Sequence, residues 1–246
     1  MSKKHKLIVI LGPTASGKTE LSIKLAKKLS AKGGGEIIDA DSRTIYRGMD
    51  IGTSKPTKRQ QAAVRHHLLN IALPNKIITL AEWQRRAFAS IDSIIKKKKT
   101  PILVGGTGLY ISSIVLNYAI PQRKRAPRYE SLIIGIDVPR AELYKRINAR
   151  VLKMTRAGLE KEVRSLVKKY SWGLPALHGI GYREWRGYFE KKKSKAETVE
   201  AIQQATRNFA KRQMTWFRGM ERQGIQIQWI SAQQEAERLV QNFLRK

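Results

Sequence analysis

Eight residues near the start of the chain have the types and the spacing to grip phosphate. Gly12, Pro13, Thr14, Ala15, Ser16, Gly17, Lys18 and Thr19 fit the pattern G-x-x-x-x-G-K-[ST] in full. In such a loop the glycines let backbone N–H groups turn toward phosphate oxygens, and the helix that follows adds its partial positive charge. Lys18 contributes a mobile full charge, and Thr19 would set its hydroxyl on a Mg2+ ion that bridges two phosphate groups. A second group, Asp39, Asp41 and Ser42, follows an apolar stretch. Its carboxylates could bind a metal or act as a base, or one could cap the next segment; spacing alone does not choose.

These groups can work together only if ordinary elements hold them. Lys6–Leu11 is a nearly continuous apolar run, the pattern of a strand buried on both faces of a parallel sheet. Leu21, Ile23, Leu25, Ala26 and Leu29 recur near helical spacing until Gly33, Gly34 and Gly35 end them. Strand, loop and helix thus flank the phosphate pattern as its mechanism requires. Residues 36–40 read as a second strand, and 81–95 as a helix ahead of four lysines. Residues 101–104 read as a third strand, opening at Gly105 and Gly106 into Thr107 and a helix from about Leu109. Residues 121–128 make a short basic connector with prolines, and 132–136 a further strand.

Beyond that strand the chain turns helical. Pro139 suits a first helical turn, with Leu143, Ile147, Val151 and Met154 on one face until Gly158, and a second helix covers 159–170. Val199, Ile202, Thr206, Phe209 and Gln213 mark a long helix, and 225–230 alternates as a last strand. The alternation predicts an α/β fold: a parallel sheet of the phosphate-loop kind flanked by helices, with a largely helical C-terminal half. One domain over residues 1–246 is expected, and no internal repeat is present.

Composition narrows the partner. With 41% hydrophobic residues the chain can bury one substantial core, and 49 Lys plus Arg against 19 Asp plus Glu leave a formal charge of +30. A polyanion is the expected partner, and nucleic acid fits better than a membrane because the apolar runs are too short to span one. The absence of cysteine excludes disulfides and thiolate metal sites and points to a reducing cytoplasm. Nothing ahead of the first strand has the long apolar stretch of a secretory signal, so a non-exported protein is expected.

Several stretches taken together resemble one family, the tRNA dimethylallyltransferases, also called tRNA isopentenyltransferases. The phosphate loop from Gly12 to Thr19 looks like that family's version, and residues 41–56, opening with Asp41, Ser42, Arg43 and Thr44, look like its next signature. The pair His66 and His67, residues 104–110, the run Gly181, Tyr182, Arg183 and Glu184, and residues 206–216 are similar too, in the family's order. The resemblance implies transfer of a dimethylallyl group from dimethylallyl diphosphate to N6 of the adenosine at position 37, on the 3′ side of the anticodon, with Mg2+ as cofactor. It implies Asp41 as the general base and Thr107 as an active-site threonine touching tRNA. Lys18, Thr19 and Arg150 match diphosphate-binding groups along with the rest of the loop, and Arg146, four residues from Arg150, shares its helix face. Ser42, Arg43 and Thr44 match the tRNA-contacting segment. Arg207, Lys211, Arg212 and Gln213 lie on one helix suited to phosphates or base edges, and Trp216 and Phe217 could stack on a base or belong to the core.

One departure stands out. Family members usually carry a helical insertion that helps hold the anticodon stem-loop, where this chain has only a connector at 121–130. Diffuse positive charge is expected to take over part of that grip, with a steep salt dependence as its mark. Two competing functions share the loop: an adenylate (free-nucleotide) isopentenyltransferase, and a P-loop ATPase or kinase acting as an RNA-binding switch. A non-catalytic tRNA-binding remnant is a third, opposed by the intact loop and Asp41. A monomer is expected.

Overall fold

Leu7, Ile8, Val9, Ile10 and Leu11 form a strand with no exposed face, and the rest of the fold is arranged to cover it. A computed structural model describes residues 4–29, 33–118 and 126–245. In chain order the elements are β1 (Lys6–Leu11), α1 (Lys18–Lys28), β2 (Gly35–Asp39), α2 (Lys58–Ala63), β3 (His66–His67), α3 (Leu80–Lys96), β4 (Thr100–Gly105) and α4 (Gly108–Val115). They continue with β5 (Glu130–Ile136), α5 (Arg140–Arg156), α6 (Leu159–Lys169), α7 (Trp185–Phe189), α8 (Lys195–Arg222), β6 (Gln228–Ile230) and α9 (Gln233–Arg245).

The strands make one sheet in the order β3-β2-β4-β1-β5-β6, parallel throughout. Alternate side chains of β1 enter opposite cores, as a period of two demands. Leu7, Val9 and Leu11 pack with Trp83 and Ile91 of α3, Ile111 of α4, Val163 of α6 and Phe217 of α8. Ile8 and Ile10 face Leu21 and Leu25 of α1 and Ala236 and Val240 of α9. Each aliphatic side chain so buried contributes about 1.5 to 3 kcal/mol relative to exposure.

The connections put the site where it is. From β1 the chain crosses to β2 on one side, and from β4 it crosses to β5 on the other, so β1 and β4 are neighbours whose following loops diverge. In open parallel sheets ligands bind in the crevice at such a switch point. The loop after β1 is the phosphate pattern, and the loop after β4 carries Gly106 and Thr107.

The predicted elements are all present with small shifts. Pro139 is not inside the first turn of α5 but just before it, at φ −51 and ψ 135. The last strand is only Gln228–Ile230; Ile225 and Ile227 are buried ahead of it without pairing. Four elements had no counterpart in the sequence reading. β3 is two residues long, α2 buries no side chain and α7 spans a single turn, too little for periodicity to register, while α9 lies beyond the last predicted strand. Of the expected connector, residues 121–125 lie outside the described residues; Arg128, at its end, pairs with Asp92 of α3 and covers the Phe88 ring. Among the described residues no helix is long and apolar enough to cross a membrane.

Candidate active site

At the end of β1 the chain turns through Gly17 at φ +95, a left-handed conformation that favours glycine, and enters α1 at Lys18. Lys18 Nζ donates to the Pro13 carbonyl at 2.7 Å, folding the cation back over its own loop. Burial, and then the nearby Arg150, pull its pKa down to about 7; Asp41 and Asp39 oppose that shift. Thr14, Ala15, Gly17, Lys18 and Thr19 line a cavity of about 860 Å3. Gly12, Pro13 and Ser16 are buried behind that lining and hold the loop's shape.

β2 delivers the two carboxylates, and the turn after it separates their roles. Asp39 Oδ1 accepts the Asp41 N–H at 2.9 Å and the Thr44 hydroxyl at 2.8 Å. Burial first, and the Asp41 charge second, raise the Asp39 pKa well above the usual carboxylate range. Asp41 Oδ1 accepts the Arg43 N–H at 2.8 Å. Both carboxylates line the cavity, with Asp39 braced inside the turn by those two bonds. Thr107, just ahead of α4, clips this turn to the β4 loop: its Oγ1 accepts the Ser42 N–H at 3.0 Å, and its N–H donates to Ala40 at 3.2 Å.

Helices α5 and α8 close the cavity from the far side. Arg150 Nε donates to Ser54 Oγ at 2.6 Å and Nη1 to Thr14 Oγ1 at 3.3 Å, which aims the guanidinium along the phosphate loop. Burial weakens its hold on its proton and Asp41 strengthens it, but an arginine stays charged here. Arg146 shares the cavity but is paired at 2.9 Å with Glu142 on the surface.

The long-helix residues separate once placed. Gln213 is buried, its Oε1 accepting the Thr14 N–H at 2.8 Å and its Nε2 donating to the Gly106 carbonyl at 2.9 Å. It ties the phosphate loop to the β4 loop instead of presenting an amide to solvent. Arg207 is held by Asn148 at 2.7 Å and Gln204 at 2.6 Å, away from the cavity lining, and Lys211 is exposed outside it. Arg212 is exposed at the mouth, near the Phe209 ring. Ser42, Arg43 and Thr44 line the cavity, with Thr44 buried in its bond to Asp39.

The aromatic pair divides as well. Phe217 is fully buried, whereas Trp216 is 45% exposed and lines the cavity. The Trp216 ring lies on Gly108, where any Cβ would collide with it, and its Nε1 donates to Ser112 Oγ at 3.2 Å. Its indole is thereby held in the cavity wall while staying part-exposed. Sequence reasoning did not find Ser54, although it sits inside the signature stretch, because nothing in its type announces a bond to a residue 96 positions away.

The donor set fits a hard cation only in company. The Thr19 hydroxyl and the Asp39 and Asp41 carboxylates all line the cavity, yet among the described residues no group of three or more His, Cys, Asp or Glu could hold a metal ion. Mg2+ suits such a place because it takes one or two protein oxygens and completes its shell with water and phosphate.

Known proteins share this arrangement. A family model described as IPP transferase matches residues 44–128 and 117–220. A tRNA dimethylallyltransferase of Desulforudis audaxviator is 34% identical, over 93% of this chain and 92% of its own length. One of Oenococcus oeni is 35% identical, over 99% of this chain and 96% of its own. The solved structure of a tRNA delta(2)-isopentenylpyrophosphate transferase from Staphylococcus epidermidis superposes with a TM-score of 0.87 at 31% identity, covering 98% of this chain and 99% of that one. The Desulforudis alignment runs over 294 positions against the 246 residues here, so that relative carries a substantial stretch this chain lacks; the Oenococcus alignment runs over only 255. The shortened form is therefore shared with a relative of the same name.

Proposed function

The chain belongs to the tRNA dimethylallyltransferases, and from that membership we propose that its cavity brings dimethylallyl diphosphate to N6 of the adenosine at position 37 of tRNA, 3′ of the anticodon. The observation that carries this reading is one cavity with Lys18 and Arg150 at the phosphate loop and Asp41 beside Thr107 across from them. The loop amides, Lys18 and Arg150 bind the donor's diphosphate and stabilise the charge that grows on it as its bond to the allylic carbon breaks. Mg2+, held by Thr19 and a neighbouring carboxylate, would neutralise part of that charge when bound.

The adenine amine is a weak nucleophile because its lone pair is delocalised into the ring. As its nitrogen bonds to the allylic carbon, Asp41 takes the N6 proton and diphosphate leaves with the electrons of the broken C–O bond. Asp39, already bonded to Thr44 and to the Asp41 N–H, keeps the turn in place and does not compete for that proton. Thr107 holds Ser42 and so the wall the base must slide along. The adenine reaches this depth only unstacked and turned out of the anticodon loop. The +30 charge supplies the attraction for the tRNA backbone. All groups named come from one chain, so a monomer suffices.

The test is an incubation of labelled dimethylallyl diphosphate with tRNA, with AMP, and with neither. Label is expected on tRNA at the adenosine 3′ of the anticodon. Label on AMP alone would identify a free-nucleotide enzyme, and ATP turnover without prenyl transfer an RNA-binding ATPase; either would overturn the reading.

A further inference from the structure

Residues 41–56 form one wall of the cavity, yet between β2 and α2 they contain no helix and no named strand. Side-chain anchors replace backbone ladders, and one of them has a form usually reserved for ligands. Glu162, in the first turn of α6, accepts three successive backbone N–H groups, from Asp50 at 3.0 Å, Ile51 at 2.8 Å and Gly52 at 3.0 Å. Consecutive amides converging on oxygens are how a backbone cradles an anion. Here the anion is the chain's own carboxylate.

Tyr182 completes the clasp. Its hydroxyl donates to Glu162 Oε1 at 2.8 Å, and its ring lies against the Cα of Gly52. Burial and the Glu162 charge push the phenol pKa far above its ordinary value, so the hydroxyl stays a donor at any working pH. The clasped turn leads directly to Ser54, whose N–H donates to the Ile51 carbonyl at 3.0 Å and whose backbone is held at φ +51. Ser54 Oγ then receives Arg150 Nε at 2.6 Å.

We propose that Glu162, with Tyr182, is a positioning residue for the leaving group: it fixes the Asp50–Gly52 turn, the turn fixes Ser54, and Ser54 fixes the Arg150 guanidinium against Thr14 of the phosphate loop. The inference rests on the reading that the donor's diphosphate occupies that loop. It gives a role to a glutamate that no motif marked and to the tyrosine of the 181–184 signature, neither of which enters the chemistry directly. It also explains why an acidic side chain is retained so near a site built for anions: its charge is consumed by three amides and a hydroxyl.

The experiment uses the full chain and its Glu162→Gln, Ser54→Ala and Tyr182→Phe variants. KM and kcat are measured for dimethylallyl diphosphate at saturating tRNA and for tRNA at saturating donor, and the affinity for inorganic diphosphate is measured by calorimetry. Glu162→Gln turns an amide NH2 toward at least one of these backbone N–H groups, and is expected to raise donor KM and the diphosphate Kd about tenfold, the scale of one hydrogen bond to a charged group. Ser54→Ala should do the same within about threefold, and the double variant should be no worse than either alone, since both act through Arg150. Tyr182→Phe should cost about threefold, and tRNA KM should stay at its wild-type value in all of them. A lower melting temperature with unchanged donor KM and diphosphate Kd in Glu162→Gln would overturn the inference, as would additive effects in the double variant. Should Glu162→Gln fail to fold, Ser54→Ala and Tyr182→Phe decide: wild-type diphosphate affinity in both overturns it. A wild-type chain that binds diphosphate but transfers no prenyl group overturns the reading of the site, and a chain that transfers with unaltered variants overturns only the positioning role.

Discussion

One side of the cavity is carried by regular elements and the other by side-chain anchors. The phosphate loop hangs between β1 and α1, with Arg150 on α5 and Gln213 on α8 bonded to it, so its geometry follows from a buried strand and three helices. Opposite, the 41–56 segment is irregular and is pinned by buried or half-buried polar side chains: Asp39 just ahead of it, Lys55 within it and Glu162 from α6. The first wall is rigid because sheets and helices satisfy their own backbones. The second is rigid only while each side-chain anchor is present, so single substitutions should reshape it at a distance from the chemistry.

The largest effect is expected where the two walls meet, at Asp41. Asp41→Asn keeps an oxygen for the Arg43 N–H but cannot take a proton. Single-turnover transfer should fall by about 10²- to 10⁴-fold, with tRNA and diphosphate affinities near wild type. A rate within a few-fold of wild type would move the base to another group, and Asp39 would be the first to examine.

The comparison also decides what could be read from sequence. The regular wall was legible: a run such as Lys6–Leu11 can only be a doubly buried strand, the loop pattern follows it, and the Leu143, Ile147 and Val151 face marks α5, on which the resemblance picked out Arg150. The pinned wall was legible only in part. The types in residues 41–56 announced a signature, but their partners lie far along the chain: Glu162 meets Gly52 across 110 positions and Arg150 meets Ser54 across 96. No local period encodes such bonds. Gln213 shows the same limit from the other direction, since its place on a basic helix suggested RNA, while its two amide ends are taken by Thr14 and Gly106. Trp216 and Phe217 are neighbours of similar type, and only the three-dimensional turn of α8 sends one to the core and the other to the mouth.

A matched pair of substitutions should separate the walls by stability. Lys55 is buried, its Nζ donating to the Tyr46 carbonyl at 2.7 Å and to Asp50 and Asn70 at 2.6 Å. Lys55→Met fills a similar volume but strands those acceptors, and should cost about 3 kcal/mol, roughly a hundredfold in the folding equilibrium. Urea unfolding would show it as a lower midpoint at unchanged slope. Arg150→Met on the other wall removes a charge held against its desolvation cost, and should leave the midpoint within about 0.5 kcal/mol of wild type while diphosphate affinity falls. Equal destabilisation by both would erase the distinction.

Trp216 tests whether the mouth of the cavity reads a base. Its part-exposed indole offers a stacking partner for a nucleobase, a contact worth about 1 to 3 kcal/mol on truncation to alanine. Trp216→Ala should therefore raise KM for tRNA about tenfold, leave donor KM alone, and be largely restored in Trp216→Phe. Because no charge is lost, the slope of log affinity against log salt should stay the same, whereas Arg212→Ala should make it shallower by about one. A Trp216→Ala enzyme with unchanged tRNA KM would make the indole a packing group for Gly108 and nothing more.

The smallest effect at neutral pH concerns the proton on Lys18, and its sign follows from where that proton is held. Burial, then Arg150, bring the pKa of Lys18 in the free site to about 7, well below an ordinary lysine. A bound diphosphate adds negative charge beside it and raises that value, so the protonated form is the one that binds. Below pH about 7 the free site is already charged and affinity should be flat in this group. Above that, binding must take up a proton, and affinity should fall by up to about tenfold per pH unit until the bound-state pKa is reached. Inorganic diphosphate titrates too, so the measurement is a difference. In Lys18→Arg the side chain stays charged throughout, while the ligand's own protons behave as before. The wild-type curve should thus drop away from the Lys18→Arg curve above pH about 7, with calorimetry in two buffers of different ionisation enthalpy showing extra proton uptake only in the wild type. Parallel curves would mean that Lys18 is charged before the ligand arrives, and that Asp39 and Asp41 outweigh burial and Arg150 in this wall.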